Sequence, residues 1–206
     1  MAITINGTGS ITGLTAGGLP DGSVVAADLA SSLDLTGKTV TLPSGTGGKI
    51  LQVVQTVKTD KTSTTSTSPT AVSGLSASIT PASTSSKILV TASFQTSIGT
   101  SGYGGFYYLY YNDGATTSVI QDYTGDAAGS RKRVASQIES SGSGKANTIV
   151  FEFLHSPAKD TSISYQVYFA AESSSYDVVI GGTYTDSDSS AFARMASTIT
   201  LMEVAG

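Results

Sequence analysis

The sequence contains no cysteine, no tryptophan and a single histidine, His155, in 206 residues. Thiolate zinc cages, iron–sulfur clusters, disulfide frameworks and a Cys–His nucleophile pair are therefore outside its chemistry, and any metal would be held by oxygen. Charge is sparse as well: Asp, Glu, Lys and Arg make up 13% of the chain and leave a net charge of −4. Eleven Lys and Arg spread along the chain do not build the basic face that neutralising phosphates requires, so no nucleic-acid partner is expected. No apolar run approaches the roughly 18 residues of a membrane-spanning helix. The start, Met1-Ala2-Ile3-Thr4-Ile5-Asn6-Gly7, lacks the basic opening of a secretory signal. The expectation is a protein made soluble in the cytoplasm, inserted in no membrane, and reaching the outside only by another route such as lysis.

Ser and Thr stand in for the missing charge, at about 30% of the residues, together with 23 glycines. Thr, Val, Ile and Tyr suit a pleated, half-buried surface, whereas the strong helix formers Glu, Lys, Leu and Met are scarce. An all-β protein is expected.

The aromatics divide the chain. All ten Tyr and six Phe lie from Phe94 onward. A first stretch, residues 1–48, lacks the side chains that fill a core, so it is expected to need partners, as a thin fibre or attachment segment of short strands wound about copies of itself. It holds one short helix candidate, with Ser23 as N-cap and Val25, Leu29 and Leu33 spaced by four. Packing of that stripe on its own copies, docking to an anchoring protein, and a plain capping helix all fit.

From residue 49 the chain reads as strands bounded by Gly, Pro, Asp, Ser or Asn: 49–57, 71–79, 87–96, 106–111, 116–121, 132–139, 147–154, 162–171, 177–180 and 192–204. Asn112-Asp113-Gly114 reads as a tight hairpin turn with Gly at positive φ. The Thr/Ser run at 61–69 reads as an edge strand or surface loop. About ten strands without intervening helices point to a β-sandwich, jelly-roll-like, over residues 49–206.

Three segments carry a resemblance. The stretch Gly7-Thr8-Gly9-Ser10-Ile11-Thr12-Gly13-Leu14 with Leu19-Pro20-Asp21-Gly22-Ser23-Val24 resembles N-terminal segments of tail fibres and other virion proteins from phages of aquatic bacteria. Gly48-Lys49-Ile50-Leu51-Gln52-Val53-Val54-Gln55, with Leu75 to Pro81 and Ser85 to Val90, is similar to the first strands of the β-rich head in that group. Gly125-Asp126-Ala127-Ala128-Gly129-Ser130-Arg131 and the ending Ala196 to Val204 complete the likeness. It implies a homotrimeric virion fibre, most simply a short tail fibre. Such a fibre would hold a tail, baseplate or capsid protein through residues 1–48 and meet a host cell-surface glycan with its head. A head-decoration fibre on the capsid is the alternative.

Candidate sites follow from the residues. No Gly-x-Ser-x-Gly elbow lies between a strand and a helix, and Ser141-Gly142-Ser143-Gly144 sits in a polar turn. Paired carboxylates of a glycan hydrolase would be Asp122 with Asp126 or Asp186 with Asp188; their ordinary role is loop solvation, and no enzyme and no cofactor is expected. Thr185-Asp186-Ser187-Asp188 resembles the start of a calcium loop but lacks its glycine and distal Glu, so an exposed acidic turn is the default. Arg131-Lys132-Arg133, read as strand, puts Arg131 and Arg133 on one face and Lys132 on the other, for pairing with carboxylates or for an anionic polysaccharide. In Tyr103-Gly104-Gly105-Phe106-Tyr107-Tyr108-Leu109-Tyr110-Tyr111, alternation gives Phe106, Tyr108 and Tyr110 one face and Tyr107, Leu109 and Tyr111 the other. Two aromatic faces require a second buried surface, a subunit interface through Phe106, Tyr108 and Tyr110, unless they form a sugar-stacking platform. Receptor contacts are placed in loops, at Tyr103, Asp126 and Tyr176.

Overall fold

The computed structural model describes residues 49–206, apart from 100, 141 and 143, together with the short strands at 4–5 and 11–12. The chain divides into two units, Met1–Gly47 and Gly48–Gly206. In the first, strands β1 (Thr4–Ile5) and β2 (Ile11–Thr12) pair antiparallel, with Thr4 opposite Thr12 and Ile5 opposite Ile11. The helix expected over 23–33 lies outside the described residues.

The second unit is all-β, with two antiparallel sheets enclosing one core. Its strands are β3 (Ile50–Lys58), β4 (Thr62–Thr64), β5 (Thr70–Ile79), β6 (Lys87–Ile98), β7 (Gly104–Asn112), β8 (Thr117–Val119), β9 (Ser136–Glu139), β10 (Asn147–His155), β11 (Ile163–Ala171), β12 (Val178–Ile180) and β13 (Ser197–Val204). One 3₁₀ turn, Gln121–Tyr123, interrupts them.

Each sheet is built on one long strand. In sheet I, β6 pairs along one side with β10, and along the other with β13 and then β12; β3 extends the sheet beyond β13 and β4 beyond β12. In sheet II, β7 pairs on one side with β11, which carries β5, and on the other with β9 and then β8. Period-2 alternation decides what each strand buries. On β6, Ile88, Val90, Ala92 and Phe94 point into the core, while Leu89, Thr91, Ser93 and Gln95 face out. The centre is aromatic: Phe94 lies 5.7 Å from Tyr107 and 5.4 Å from Phe151, ring centroid to centroid, the latter edge-on. Each such buried ring contributes about 1.5–3 kcal/mol of transfer free energy. The Tyr107 hydroxyl, wholly inside, is bonded to the Thr96 hydroxyl, which donates in turn to the Val179 carbonyl at 2.9 Å.

Most strand expectations hold to within a few residues, and three differ for physical reasons. The 132–139 strand begins only at Ser136, because residues 124–135 leave the sheet to lie against it. The last strand begins at Ser197 rather than at 192, since residues 181–196 form a loop held by a single bridge between Gly182 and Arg194. The turn after β7 is wider than a two-residue hairpin. The Asp113 carboxylate accepts the N–H groups of Ala115 and Thr116 at 3.0 and 2.8 Å, and the Asn112 side-chain oxygen accepts the N–H of Gly114, whose φ is +91°. Within the Thr/Ser run, Thr62–Thr64 forms a short edge strand on β12, and in the loop beyond the Ser66 hydroxyl donates to the Ser68 carbonyl and accepts the Ser68 N–H.

Candidate functional site

Four loops gather where β6 ends and β7 begins, through residues 99 and 101–103, 140, 142 and 144–146, 172–177 and 181–196. Backbone bonds tie them together. Gly99 N–H donates to the Asp177 carbonyl at 3.1 Å, Ser140 N–H to the Tyr103 carbonyl at 2.9 Å, and Glu172 N–H to the Gly104 carbonyl at 3.0 Å. Gly104 N–H donates back to the Glu172 carboxylate at 2.7 Å. Tyr184 N–H donates to the Ser97 hydroxyl, and its ring covers Gly99 so closely that a Cβ there would stand 2.5 Å from it. Loops so fixed hold their side chains in place without regular structure of their own.

This arrangement brings together two of the three receptor residues read from the sequence. The rings of Tyr103 and Tyr176, 73 positions apart, lie 4.6 Å centroid to centroid at 46°. Their roles differ. Tyr176 is 5% exposed; its hydroxyl accepts the Ser173 N–H at 3.0 Å and donates to the Gly104 carbonyl at 3.4 Å, and burial pushes its pKa up. Tyr103 is 42% exposed and presents its outer face to solvent, with Tyr176 as its support. An exposed ring on a fixed ring can stack a sugar or another flat apolar surface. Asp126 is elsewhere: it sits exposed on the 124–135 segment, with no hydrogen bond or ion pair to it among the described residues.

The 181–196 loop bounds a depression of about 300 Å³ lined by Asp186, Ser187, Asp188, Ser189, Phe192, Ala193 and Arg194. Asp186 is neutralised from two sides, by Arg194 at 2.6 Å and Lys61 at 3.4 Å. Among the described residues, no three His, Cys, Asp or Glu side chains group where a metal ion could be held. Sequence reasoning missed Lys61, Glu172, Tyr184, Phe192 and Arg194 here. No local pattern marks them, because only the strand order brings their loops together.

The basic cluster is off any strand, so the alternation read for it does not apply. Each member is turned back on the chain: Lys132 donates to the Thr67 carbonyl at 2.9 Å with its ammonium 4.8 Å over the Phe106 ring, Arg133 donates to Gly125 and Arg131 to Ala128. The alternation along β7 holds. Tyr107, Leu109 and Tyr111 face the core, and Phe106, Tyr108 and Tyr110 face out. Phe106 and Tyr108 are nonetheless only 8% and 6% exposed, because Val119 and Val134 of the same chain pack over them. Tyr110 stacks on Tyr168 at 3.8 Å beside Asn112, Thr117, Ser164 and Gln166, which rim a small depression of about 70 Å³. Among the described residues no helix is long and apolar enough to cross a membrane.

No family model and no curated protein matches the sequence. Among solved structures, the chain is similar to one described as infectious bursal disease virus Gx strain, at 13% identity and a TM-score of 0.34, over 81% of this chain and 42% of that one. A mutant VP2 protein of infectious bursal disease virus in derived particles aligns at 16% identity and TM-score 0.36, over 86% and 45%. A VP2 subviral particle of the same virus aligns at 10% and 0.37, over 86% and 49%. The chain spans less than half the length of these proteins. At that degree of superposition neither fold family nor function transfers.

Proposed function

We propose that this chain is a virion structural protein, a short tail fibre whose β-sandwich head meets a host cell-surface polysaccharide through the loop end. Residues 1–48 serve as its attachment to the tail. The observation that carries the binding half of this reading is the Tyr103 ring, solvent-facing and seated on Tyr176 among loops locked to one another. The virion half rests on the likeness of residues 7–14, 19–24, 48–55, 75–81, 85–90, 125–131 and 196–204 to phage fibre segments, and the all-β head is of a build that suits such a role. A single ring contact is worth on the order of 1 kcal/mol, so useful adhesion comes from repeating the site in several copies.

The test is binding of the purified full chain to an array of bacterial surface polysaccharides. The expected result is retention on at least one acidic or neutral polymer, lost in Tyr103→Ala and kept in Asp126→Ala. Retention that is indifferent to Tyr103→Ala, or absent from every polymer, overturns the binding reading. Gold-labelled antibody on intact particles is expected at the tail; label over the capsid would make the chain a decoration protein instead.

A further inference from the structure

The described chain leaves few large apolar side chains in water, and they are not scattered. Every one of them except Tyr103 lies on β3 or β10: Ile50, Leu51, Val53, Val57, Val150 and Leu154. These are the outer strands of one four-strand face of sheet I, in the order β3, β13, β6, β10. The registers line their side chains into rows. Val53, Met202, Leu89 and Leu154 stand side by side across all four strands. Four residues further along β3, Val57, Thr198, Ser93 and Val150 form a second apolar-to-small row. A polar row led by Gln55 and Thr200 separates them.

The exposure is large where it counts: 56% for Val53, 58% for Val150 and 45% for Leu154. Four strands about 4.8 Å apart and about 28 Å long give a footprint of roughly 500 Å² in projection. A sheet face that exposes apolar rows on either side of a polar one marks an interaction face, and its whole projected area is more than half of the roughly 800 Å² per partner of a standard specific interface.

The charges on the face suggest the partner. Within these four strands only Lys87 and Glu152 point outward with charge. Glu152 sits opposite Thr91, four residues along β6 from Lys87 and so roughly 13 Å away, and neither has an ion pair in the described chain. One acid and one base, too far apart to meet within a chain, complement a second copy of the same face. Joining edge to edge at β10 is blocked, since the Tyr123 hydroxyl accepts the outward N–H of Glu152 at 3.0 Å. On sheet II, Phe106 and Tyr108 are already covered within the chain.

We infer that the outer face of β3, β13, β6 and β10 is the surface on which copies of this chain associate, face against face, with Lys87 of one copy meeting Glu152 of the next. This stands apart from the polysaccharide reading, which uses the loop end.

The test uses the full chain, whose lack of native cysteine permits single thiols. Light scattering should return a whole multiple of 20.9 kDa. In maleimide labelling, a thiol at Val150→Cys should react at least about tenfold more slowly than one at Ser175→Cys on the loop end. The double variant Val53→Lys with Leu154→Lys should fall to a single-chain mass with unchanged circular dichroism. If that variant fails to fold, the labelling ratio alone decides. A wild-type mass of one chain, equal labelling at both thiols, or an oligomer indifferent to the folded double variant overturns the inference. Slow labelling at Val150→Cys in a monomer also overturns it, by assigning the cover to the chain itself.

Discussion

The Nδ1 atom of His155 lies 2.8 Å from the hydroxyl of Tyr165, half-buried at the end of the sandwich opposite the loop that carries Tyr103. Burial pushes the Tyr165 pKa far up, so that hydroxyl keeps its proton and the pair is joined by a neutral hydrogen bond whose direction the imidazole tautomer sets. Burial likewise holds the His155 pKa below its ordinary 6.5, against a weaker opposing pull from Asp122.

The unfolded chain therefore takes up the proton more readily than the folded one. The stability His155 contributes is complete above about pH 6.5 and is lost as pH falls through the lower folded value. Thermal melts from pH 7.5 down to pH 5 should show this decline. The His155→Gln variant keeps an acceptor for Tyr165 and cannot titrate, so its melting temperature should be flatter over that interval.

Thr96→Val should cost more than Tyr107→Phe, although both break the same hydrogen bond. The first leaves the buried Tyr107 hydroxyl without its partner, about 1–3 kcal/mol, and the second removes the hydroxyl while Thr96 keeps its bond to the Val179 carbonyl, about 0.5–1.5 kcal/mol. Urea unfolding of both variants gives the order directly.

Gly181 opens the 181–196 loop at φ +83°, and a Cβ there would stand 2.7 Å from the Asp60 carbonyl. Gly181→Ala should lose of order 1–3 kcal/mol, because a side chain is strained in that backbone region and the blocking atom is main chain. A melting temperature equal to wild type would refute the conformation assigned to this turn.

A chain of residues 49–206 should fold without residues 1–48, since among the described residues every member of the main core cluster, from Val72 to Leu201, lies within it. Near-ultraviolet circular dichroism is expected to retain the full-length tyrosine signal. Its loss would place part of the core before residue 49.

The strands were largely legible in the sequence, because alternation is a local property: Ile88, Val90, Ala92 and Phe94 announce their shared face whatever packs on it. The opposed faces of β7 were legible for the same reason. What covers the outer one was not, since Val119 reaches it from the edge strand β8 and Val134 only after residues 124–135 leave sheet II to lie against it. The basic run was misread because a strand pattern was extended four residues into that covering segment.

By itself the sequence determined an all-β unit, the opposed faces of the aromatic strand, the absence of thiol chemistry and Tyr103 as a loop aromatic. These follow from composition and from a period of two, which each strand carries alone. Tertiary structure decided which loops meet. The seating of Tyr103 on Tyr176, the neutralisation of Asp186 by Lys61 and Arg194, and the alignment of Val53 with Leu154 all depend on strand order and register across long stretches of chain. Those are set by the closing of two sheets on a shared core, which no local window of residues contains.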